Sequence, residues 1–244
     1  MNRANKAIIM AAGLGERMKP LTLEIPKPLV KVNGVRMIDT IISGLHDNGI
    51  YEIYVVVGYR KEQFYCLTDD YPEVVLVNNP YYDTCNNISS LYVAREYIGN
   101  SIILDGDQII FNSGILTSKF SRSGYNAVWT NMPTNEWLLT VEDGIVTRCS
   151  RTGGKQGWQL YSISRWSEED GRKLRKHLEF EFEQKKNRQI YWDDIAMFCY
   201  PQEYQLGIMP MQASDVIEID EIDELIALDA SYSSYALKKG STNE

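Results

Sequence analysis

Two kinds of apolar segment alternate along the first third of the chain. Residues 7–12, 52–59 and 74–77 are short, continuous apolar runs, the pattern of strands buried on both faces of a sheet. Residues 37–46 instead repeat their apolar positions at the spacing of one helical face, and residues 61–70 form a second predicted helix. This alternation of strands and helices predicts a parallel sheet with right-handed crossovers.

The second half begins with the same pattern and then changes. Residues 101–110 contain another apolar strand, and residues 112–122 predict a helix. Short β segments are predicted next, at residues 127–131, 138–142, 145–149 and 160–164, the middle two joined as a hairpin. A helix capped by Ser167 follows them. The whole pattern predicts an α/β fold with a mostly parallel, mixed sheet flanked by helices and a small β-containing insertion.

The length and composition fit a single domain. The chain has 244 residues, of which 44% are hydrophobic, enough to bury a substantial core. We expect one domain over residues 1–236, divided at about residue 125 where the pattern changes, and a frayed tail over residues 237–244.

The run between residues 12 and 32 is the most distinctive part of the sequence. Gly13 and Gly15 follow the first strand and leave backbone N–H groups open to a ligand, while Arg17 adds positive charge. Prolines on both sides restrict the backbone of Lys27, which aims one ammonium group. A glycine pair after a strand is often only a tight turn, and the spacing matches neither common phosphate-binding motif. The constrained lysine favours a phosphate-binding loop.

The overall charge restricts the class of partner. The formal net charge is −8, and such a field disfavours nucleic acid and anionic membranes. No run approaches 18 apolar residues and the N-terminus lacks the apolar core of a secretory signal, so we expect a cytoplasmic protein. The four cysteines are far apart and never spaced as CxxC, so we expect reduced thiols rather than a zinc site.

The phosphate-binding loop contains the runs AAGLGERMKPLT, at residues 11–22, and PKPLVKVNG, at residues 26–34. They resemble the signature that opens the nucleotidyltransferase fold of sugar-phosphate nucleotidylyltransferases. The resemblance implies a Rossmann-like sheet of the nucleotide-diphospho-sugar transferase type, with the nucleotide in about residues 1–125 and the acceptor in about residues 126–236. It also implies catalytic roles for Arg17 and Lys27. The nucleotide-binding residues that it implies are Ala11, Ala12, Gly13, Leu14, Gly15, Glu16, Asn87, Ser89 and Asp105.

The run NNISSL, at residues 86–91, joins a polar loop to a predicted helix. One of Asn86 and Asn87 is expected to cap this helix. A similar run lies near the nucleotide in the cytidylyltransferases of the family, which implies that the other asparagine contacts the base or the ribose.

Two acidic runs are candidates for a metal site. Asp105-Gly106-Asp107 ends a strand, and Glu218-Ile219-Asp220 precedes a predicted helix. An isolated run of the first kind is more often a turn, and acids before a helix are often caps. Carboxylates beside bound phosphates are also the ligands that Mg²⁺ uses. In the resembled fold the second aspartate of the first run and a late aspartate hold the metal, which implies Asp107 and Asp220 as Mg²⁺ ligands.

Aromatic and acidic residues occur together at residues 134–137 (TNEW) and 191–194 (YWDD). They are compatible with the start of an amphipathic helix, but Trp and Tyr faces near a carboxylate also bind quaternary ammonium groups. Both runs resemble those of the CTP:phosphocholine cytidylyltransferases. That resemblance implies a choline-binding cage. Its walls are Trp137, Tyr191 and Trp192, and its counter-charge is Asp193 or Asp194.

A glycine-rich loop at residues 152–157 contains Lys155, our candidate for binding the acceptor phosphate. Mobile loops often carry lysines that only face solvent, and this alternative stays open.

The resemblance therefore implies transfer of CMP from CTP to phosphocholine, with Mg²⁺ and release of pyrophosphate. Phosphoethanolamine or 2-aminoethylphosphonate is the first alternative acceptor, and a sugar 1-phosphate the second. A non-catalytic nucleotide-binding regulatory domain is the alternative from another class, and the presence of Lys27, Asp107 and Asp220 disfavours it. The sequence is compatible with a homodimer and does not determine the oligomeric state.

Overall fold

A computed structural model describes residues 1–239 of the chain. Its strands are β1 (Asn2–Arg3), β2 (Lys6–Ala11), β3 (Lys31–Val32), β4 (Val35–Arg36), β5 (Glu52–Val57), β6 (Val74–Asn78), β7 (Ser101–Asp105), β8 (Gln108–Ile110), β9 (Lys119–Phe120), β10 (Gly124–Thr130), β11 (Leu138–Glu142), β12 (Ile145–Ser150), β13 (Gly157–Trp166), β14 (Gly207–Pro210) and β15 (Val216–Glu218). Its α-helices are α1 (Met37–Asp47), α2 (Tyr65–Asp70), α3 (Ile88–Val93), α4 (Glu168–Glu179), α5 (Ile222–Leu228) and α6 (Ser233–Lys239).

The central sheet confirms the predicted fold class. Its main strand order is β12-β11-β13-β7-β2-β5-β6, and β10 pairs with both β13 and β14. The four strands β7, β2, β5 and β6 are parallel, whereas β13 runs antiparallel to β7. The result is a mixed α/β sheet whose four-stranded parallel part lies in the first half of the chain, with one further parallel pair between β10 and β14.

Strand β2 is buried on both faces, as its continuous apolar run predicts. Ala7 and Ile9 face one core, which they share with the apolar side of α1. Ile8 and Met10 face the opposite core, which includes residues of α3 and α4. Helices therefore cover both sides of the sheet, as a parallel sheet requires.

The predicted helix over residues 112–122 is wrong. Residues Ser113–Leu116 form one 3₁₀ turn, capped by the side chain of Asn112, and the chain then becomes extended as β9. Strand β9 pairs with β1 near the N-terminus, and Phe120 is buried there. This long-range pairing overrides the local helical pattern.

The remaining second-half predictions are close to the structure. Strands β11 and β12 form the expected antiparallel hairpin, and the Ser167 hydroxyl accepts a hydrogen bond from the Asp170 amide at the start of α4. Strand β13 is longer than the predicted 160–164 segment. Its ten residues pair with β7, β10 and β11, so this strand connects the parallel sheet to the antiparallel part.

A third apolar cluster fixes the early loop against the end of the chain. Met18, Leu21 and Val30 pack there with Ile219 and Leu225. The cluster places the predicted phosphate-binding loop beside the late acidic run.

The predicted tail falls at the limit of the described residues. Its first residues, 237–239, end α6, and residues 240–244 lie outside the part of the chain that the structure describes. Among residues 1–239, every helix is too short or too polar to cross a bilayer.

A buried arginine gives a test of this fold. Arg165 is fully buried on β13 and donates hydrogen bonds to the carbonyls of Thr117 and Ile115 and to the Asn126 side chain. Arg165→Ala removes the donor to the Thr117 carbonyl and to the Asn126 side-chain oxygen, whereas the Ile115 carbonyl still accepts from the Asn126 side-chain amide. We therefore expect a loss of about 3 kcal/mol in unfolding free energy. Urea unfolding measures it. Arg172→Ala on the exposed face of α4 is the control, and an equally small effect of both changes would contradict this account.

Candidate active site

The carboxyl ends of β2 and β7 meet at one edge of the sheet. Met10 and Asp105 are register partners there, so the loops that follow these strands emerge side by side. They border a cavity of about 380 Å³. Ligand sites of open α/β sheets lie at this edge.

The structure brings most of the sequence-predicted residues to this cavity. All of the predicted nucleotide-binding residues line it except Leu14, together with Arg17, Lys27, Asp107 and Asp220. The lining residues that the sequence analysis did not assign are Met10, Pro28, Tyr82, Cys85, Asn86 and Ser90. Asn86 and Ser90 belong to the recognised 86–91 run, whereas Tyr82 and Cys85 carry no local signal of ligand binding.

Gly15 shapes the loop that follows β2. Its φ is +64°, in the left-handed region, and a Cβ atom would lie 2.8 Å from the Thr22 Cγ2 atom. The Thr22 hydroxyl donates a 2.9 Å hydrogen bond to the Gly15 carbonyl, which closes the loop. Glycine is therefore needed at residue 15 for both its backbone conformation and its packing.

Lys27 lies at the centre of the site. Its side chain is 9% exposed, and its Nζ atom is 2.6 Å from Asp107 Oδ2 and 2.8 Å from Asp220 Oδ1. The adjacent Pro28 packs against Gly106, where a Cβ atom would lie 3.2 Å from the proline Cγ atom and 3.1 Å from the Met10 carbonyl oxygen. Proline and glycine thus permit the close approach of the loop to the acidic turn.

Three carboxylates form a cluster around this lysine. One carboxylate oxygen from each of Asp107, Glu218 and Asp220 lies within 4.8 Å of the other two. Strands β8 and β15 pair so that Gln108 is opposite Glu218, which brings the two acidic runs together. Asp107 Oδ1 is buried and has no hydrogen-bond partner among residues 1–239. A buried, unpaired carboxylate oxygen in a cluster of hard ligands fits a divalent cation such as Mg²⁺.

Glu218 was not among the predicted metal ligands, although it belongs to the Glu218-Ile219-Asp220 run. The alternative role of Asp220 as a helix cap is wrong, because Glu221 is the N-cap of α5 and forms a capping box with Glu224. Asp220 therefore remains available for Lys27 and Arg17, and the Arg17 Nη2 atom is 2.7 Å from its Oδ1 atom.

The electrostatics of the cluster favour added positive charge. Removal from water, with the charges of Asp107 and its acidic neighbours, raises the pKa of Asp105 and of Glu218 well above the ordinary values. Burial alone would lower the pKa of Lys27, but its ion pairs with Asp107 and Asp220 raise it, so the ammonium stays charged. The site thus holds more carboxylates than one lysine can neutralise.

Asn87 is the N-cap residue of α3, which confirms the predicted position of one asparagine. Its side chain, however, makes no capping hydrogen bond there. Its Oδ1 atom instead accepts a 2.9 Å hydrogen bond from the Trp192 amide, and the Asn86 side chain accepts one from the Asn87 amide. Ser89 is 1% exposed, and its hydroxyl accepts a hydrogen bond from the side-chain amide of the buried Asn79. These contacts join the cavity to the 191–194 run.

Aromatic side chains are grouped on the predicted acceptor side. Trp137 makes edge contacts with Tyr191, at 5.8 Å between ring centroids, and with Phe198, at 5.6 Å. The guanidinium of Arg151 lies 3.9 Å above the Phe198 ring and 5.7 Å from the Trp137 ring. Asp194 is buried and pairs with Arg151 at 2.6 Å. Phe198 and Arg151 were missed because neither belongs to a recognisable motif.

The prediction that Trp192 is an exposed wall of this group needs correction. Its side chain is 2% exposed and packs against Tyr125 and Trp166. Its ring faces are therefore covered by other residues of the core.

Asp193 is also buried, and burial raises its pKa to about 7 although the Tyr125 hydroxyl opposes the shift. Its charge contributes to the raised pKa of Asp105, after burial and Asp107, so the two carboxylates are close. Asp193 directly precedes Asp194, the residue that pairs with Arg151 in the aromatic group.

Two predicted residues do not line the cavity. Leu14 is half-buried in the loop that follows β2, and Lys155 is exposed in the loop between β12 and β13. A role for Lys155 in binding the acceptor phosphate stays a prediction.

The comparisons with known proteins agree with this geometry. A family model described as nucleotidyl transferase matches residues 6–115. A 2-aminoethylphosphonate cytidylyltransferase of Lancefieldella rimae is 39% identical over 229 residues, covering 93% of this chain and 92% of that protein. The chain belongs to the nucleotidyltransferase family. The sequence resemblance is therefore confirmed, and the protein is an enzyme of the nucleotidyl-transferring class.

Other similar proteins have names that give different acceptors. A choline-phosphate cytidylyltransferase of Streptococcus pneumoniae is 32% identical over 90% of this chain and 94% of that protein. The solved structure of a CTP:phosphocholine cytidylyltransferase from the same organism has a TM-score of 0.87 at 33% identity, covering 94% of this chain and 99% of that one. An inositol-1-phosphate CTP transferase from T. maritima, at 15% identity and a TM-score of 0.73, covers 96% of each chain and shows the shared fold.

The position of Lys27 gives a prediction for this nucleotidyltransferase. We expect Lys27→Ala to lower turnover at least about a hundredfold, because a fixed cation near the reacting phosphates is removed. Pyrophosphate release under saturating substrates measures turnover, and a thermal melt checks the fold.

Lys31→Ala is the matched control, because Lys31 is an exposed lysine four residues further along the same segment. Near-normal turnover of the folded Lys27→Ala variant would show that the role given to Lys27 is wrong.

Proposed function

We propose that this enzyme transfers CMP from CTP to the phosphonate or phosphate of a small amine, with 2-aminoethylphosphonate as the preferred acceptor. The observation that carries the proposal is the joining of two sites. A cavity with a fixed lysine and three carboxylates is connected, through the hydrogen bond between Asn87 and Trp192, to a buried carboxylate and an aromatic group. Two relatives that match most of this chain are named cytidylyltransferases, which supports the choice of CTP.

The reaction needs positioning and charge neutralisation rather than a covalent intermediate. An oxygen of the acceptor attacks the α-phosphorus of CTP, the bond to the bridging oxygen breaks, and pyrophosphate leaves with the electron pair. Lys27 holds a fixed positive charge beside the cavity. Arg17 is 65% exposed, so it can turn from Asp220 to the triphosphate. A Mg²⁺ ion held by Asp107 and Asp220, with Glu218 beside them, would supply further positive charge to the phosphates.

The acidic side chains favour an acceptor with a primary amine. Asp193 is buried beside the Tyr125 hydroxyl, and its Oδ1 atom lies outside hydrogen-bond geometry with every described residue. An ammonium with N–H groups can donate to this oxygen, whereas a quaternary ammonium cannot. The 39% identity with a 2-aminoethylphosphonate enzyme supports the same acceptor class.

Phosphocholine is the second candidate acceptor. Tyr191 is 48% exposed and meets the half-buried Trp137 edge to face, an arrangement that can contact a quaternary ammonium. The structural similarity to a phosphocholine enzyme supports this candidate.

A substrate matrix tests the function. CTP, UTP, GTP and ATP are each combined with 2-aminoethylphosphonate, phosphoethanolamine, phosphocholine and glucose 1-phosphate, and pyrophosphate release is followed with Mg²⁺ present. We expect the highest kcat/KM with CTP and 2-aminoethylphosphonate. A preference for phosphocholine would overturn the acceptor assignment, and no release from any pair would overturn the whole proposal.

The raised pKa of Asp193 predicts a pH dependence of acceptor binding. Burial raises this pKa to about 7, so the carboxylate loses its charge as the pH falls through 7, and the bound ammonium loses its counter-charge. We expect the KM for 2-aminoethylphosphonate to rise about tenfold between pH 8 and pH 6.

Asp193→Asn is the comparison, because titration of the acceptor itself affects both enzymes equally. The KM of the variant should be high, and its pH dependence should reflect only the titration of the acceptor. Parallel pH profiles for the two enzymes would remove Asp193 from the acceptor site.

A further inference from the structure

The side chain of Arg151, which is 47% exposed, lies against the aromatic group. It follows the end of β12, and its guanidinium lies over Phe198 and near Trp137 while it pairs with Asp194. Two aromatic rings and a carboxylate around one cation are the components of an ammonium-binding pocket. In this chain the cation in that pocket is a side chain.

The carboxylate in the pocket is fully engaged. Asp194 Oδ1 accepts from Arg151, and its Oδ2 atom accepts a 3.0 Å hydrogen bond from the Tyr191 amide. The Asp194 side chain is 3% exposed, so displacing Arg151 would leave a buried charge without its partner. Such a loss is costly, which holds the guanidinium in place.

The backbone next to Arg151 is also held. The Ser150 hydroxyl donates a 2.8 Å hydrogen bond to the Gly153 carbonyl, and Gly154 and Thr134 exchange backbone hydrogen bonds. Residue 151 therefore lies in a turn that is fixed by its own hydrogen bonds. Because the backbone is already ordered, pairing of the side chain with Asp194 costs less conformational entropy.

We propose that Arg151 determines the head-group specificity of the acceptor site by filling the pocket that a quaternary ammonium would need. The inference rests on the proposed function for its substrate class. A trimethylated head group must displace the guanidinium from Asp194 and from the Phe198 ring. A primary ammonium need not enter this pocket, because the carboxylate of Asp193, beside the Tyr125 hydroxyl, offers it a separate hydrogen-bond acceptor. Arg151 thus selects primary amines by excluding quaternary ones.

The first test measures binding without catalysis. Tetramethylammonium is titrated into the full-length protein, and the dissociation constant is measured by calorimetry. We expect Arg151→Ala to bind tetramethylammonium at least about tenfold more tightly than the wild type, the scale of one cation–π contact. Methylguanidinium should compete with tetramethylammonium in the variant, since it replaces the lost side chain. Unchanged affinity, or no such competition, would overturn the proposal.

The second test measures acceptor choice. The ratio of kcat/KM for phosphocholine to that for 2-aminoethylphosphonate should rise about tenfold in Arg151→Ala, with the KM for CTP unchanged. Arg148→Ala is the matched control, because Arg148 is an exposed arginine on β12. It should leave both the ratio and the tetramethylammonium affinity as in the wild type. A ratio unchanged by Arg151→Ala would overturn the role in specificity.

A third variant separates misfolding from specificity. Arg151→Gln keeps a polar side chain that can reach Asp194 but carries no charge, and it should also bind tetramethylammonium more tightly. If the wild type transfers no nucleotide to any acceptor, the proposed function fails, while the binding experiment still decides whether Arg151 closes the pocket. If transfer occurs and both variants bind tetramethylammonium as weakly as the wild type, only this inference fails.

Discussion

The structure depends on one ammonium group, that of Lys27, placed between Asp107 and Asp220. These ion pairs join residues 80 and 193 positions apart in the chain. Without a cation the carboxylates of Asp107, Glu218 and Asp220 would repel one another, because they lie within a few ångström and largely out of water. The apolar cluster of Met18, Leu21 and Ile219 supplies the opposing attraction that holds the same segments together. Apolar packing sets the distance between the carboxylates, and the positive charge of Lys27 offsets their repulsion at that distance.

Residues that line the cavity could be predicted where the signal is local. Gly15 needs a left-handed backbone, Lys27 has prolines on both sides, and Asp107 follows a strand end, so each carries a signature within a few residues. The parallel sheet was predictable for a related reason, because strands such as β2 that are buried on both faces are continuous apolar runs. Local chemistry and backbone geometry coincide at this edge of the sheet.

Prediction failed where a partner far along the chain decides the structure. Residues 117–120 are extended because β9 pairs with β1, and Glu218 reaches the metal cluster because β15 pairs with β8. The neighbours Tyr191 and Trp192 have the same aromatic character, yet one is exposed and the other is in the core. They differ in exposure because they lie in the turn that leads into the π-helical segment Ile195–Cys199. In this turn the Tyr191 amide donates a hydrogen bond to the Asp194 carboxylate. No periodicity over two residues could distinguish them.

In each half of the site a basic side chain pairs with a buried carboxylate. The two halves differ in how many carboxylate oxygens have no hydrogen-bond partner. Beside Lys27, Asp107 Oδ1 has no partner within residues 1–239, so a further cation can be added without displacing the lysine. Beside Arg151, both oxygens of Asp194 are engaged, so another cation can enter only by replacement. Addition suits a divalent metal that works together with the lysine, whereas replacement raises a barrier against bulky ammonium groups. The same pairing of opposite charges can therefore recruit a cation at one end of the site and exclude one at the other.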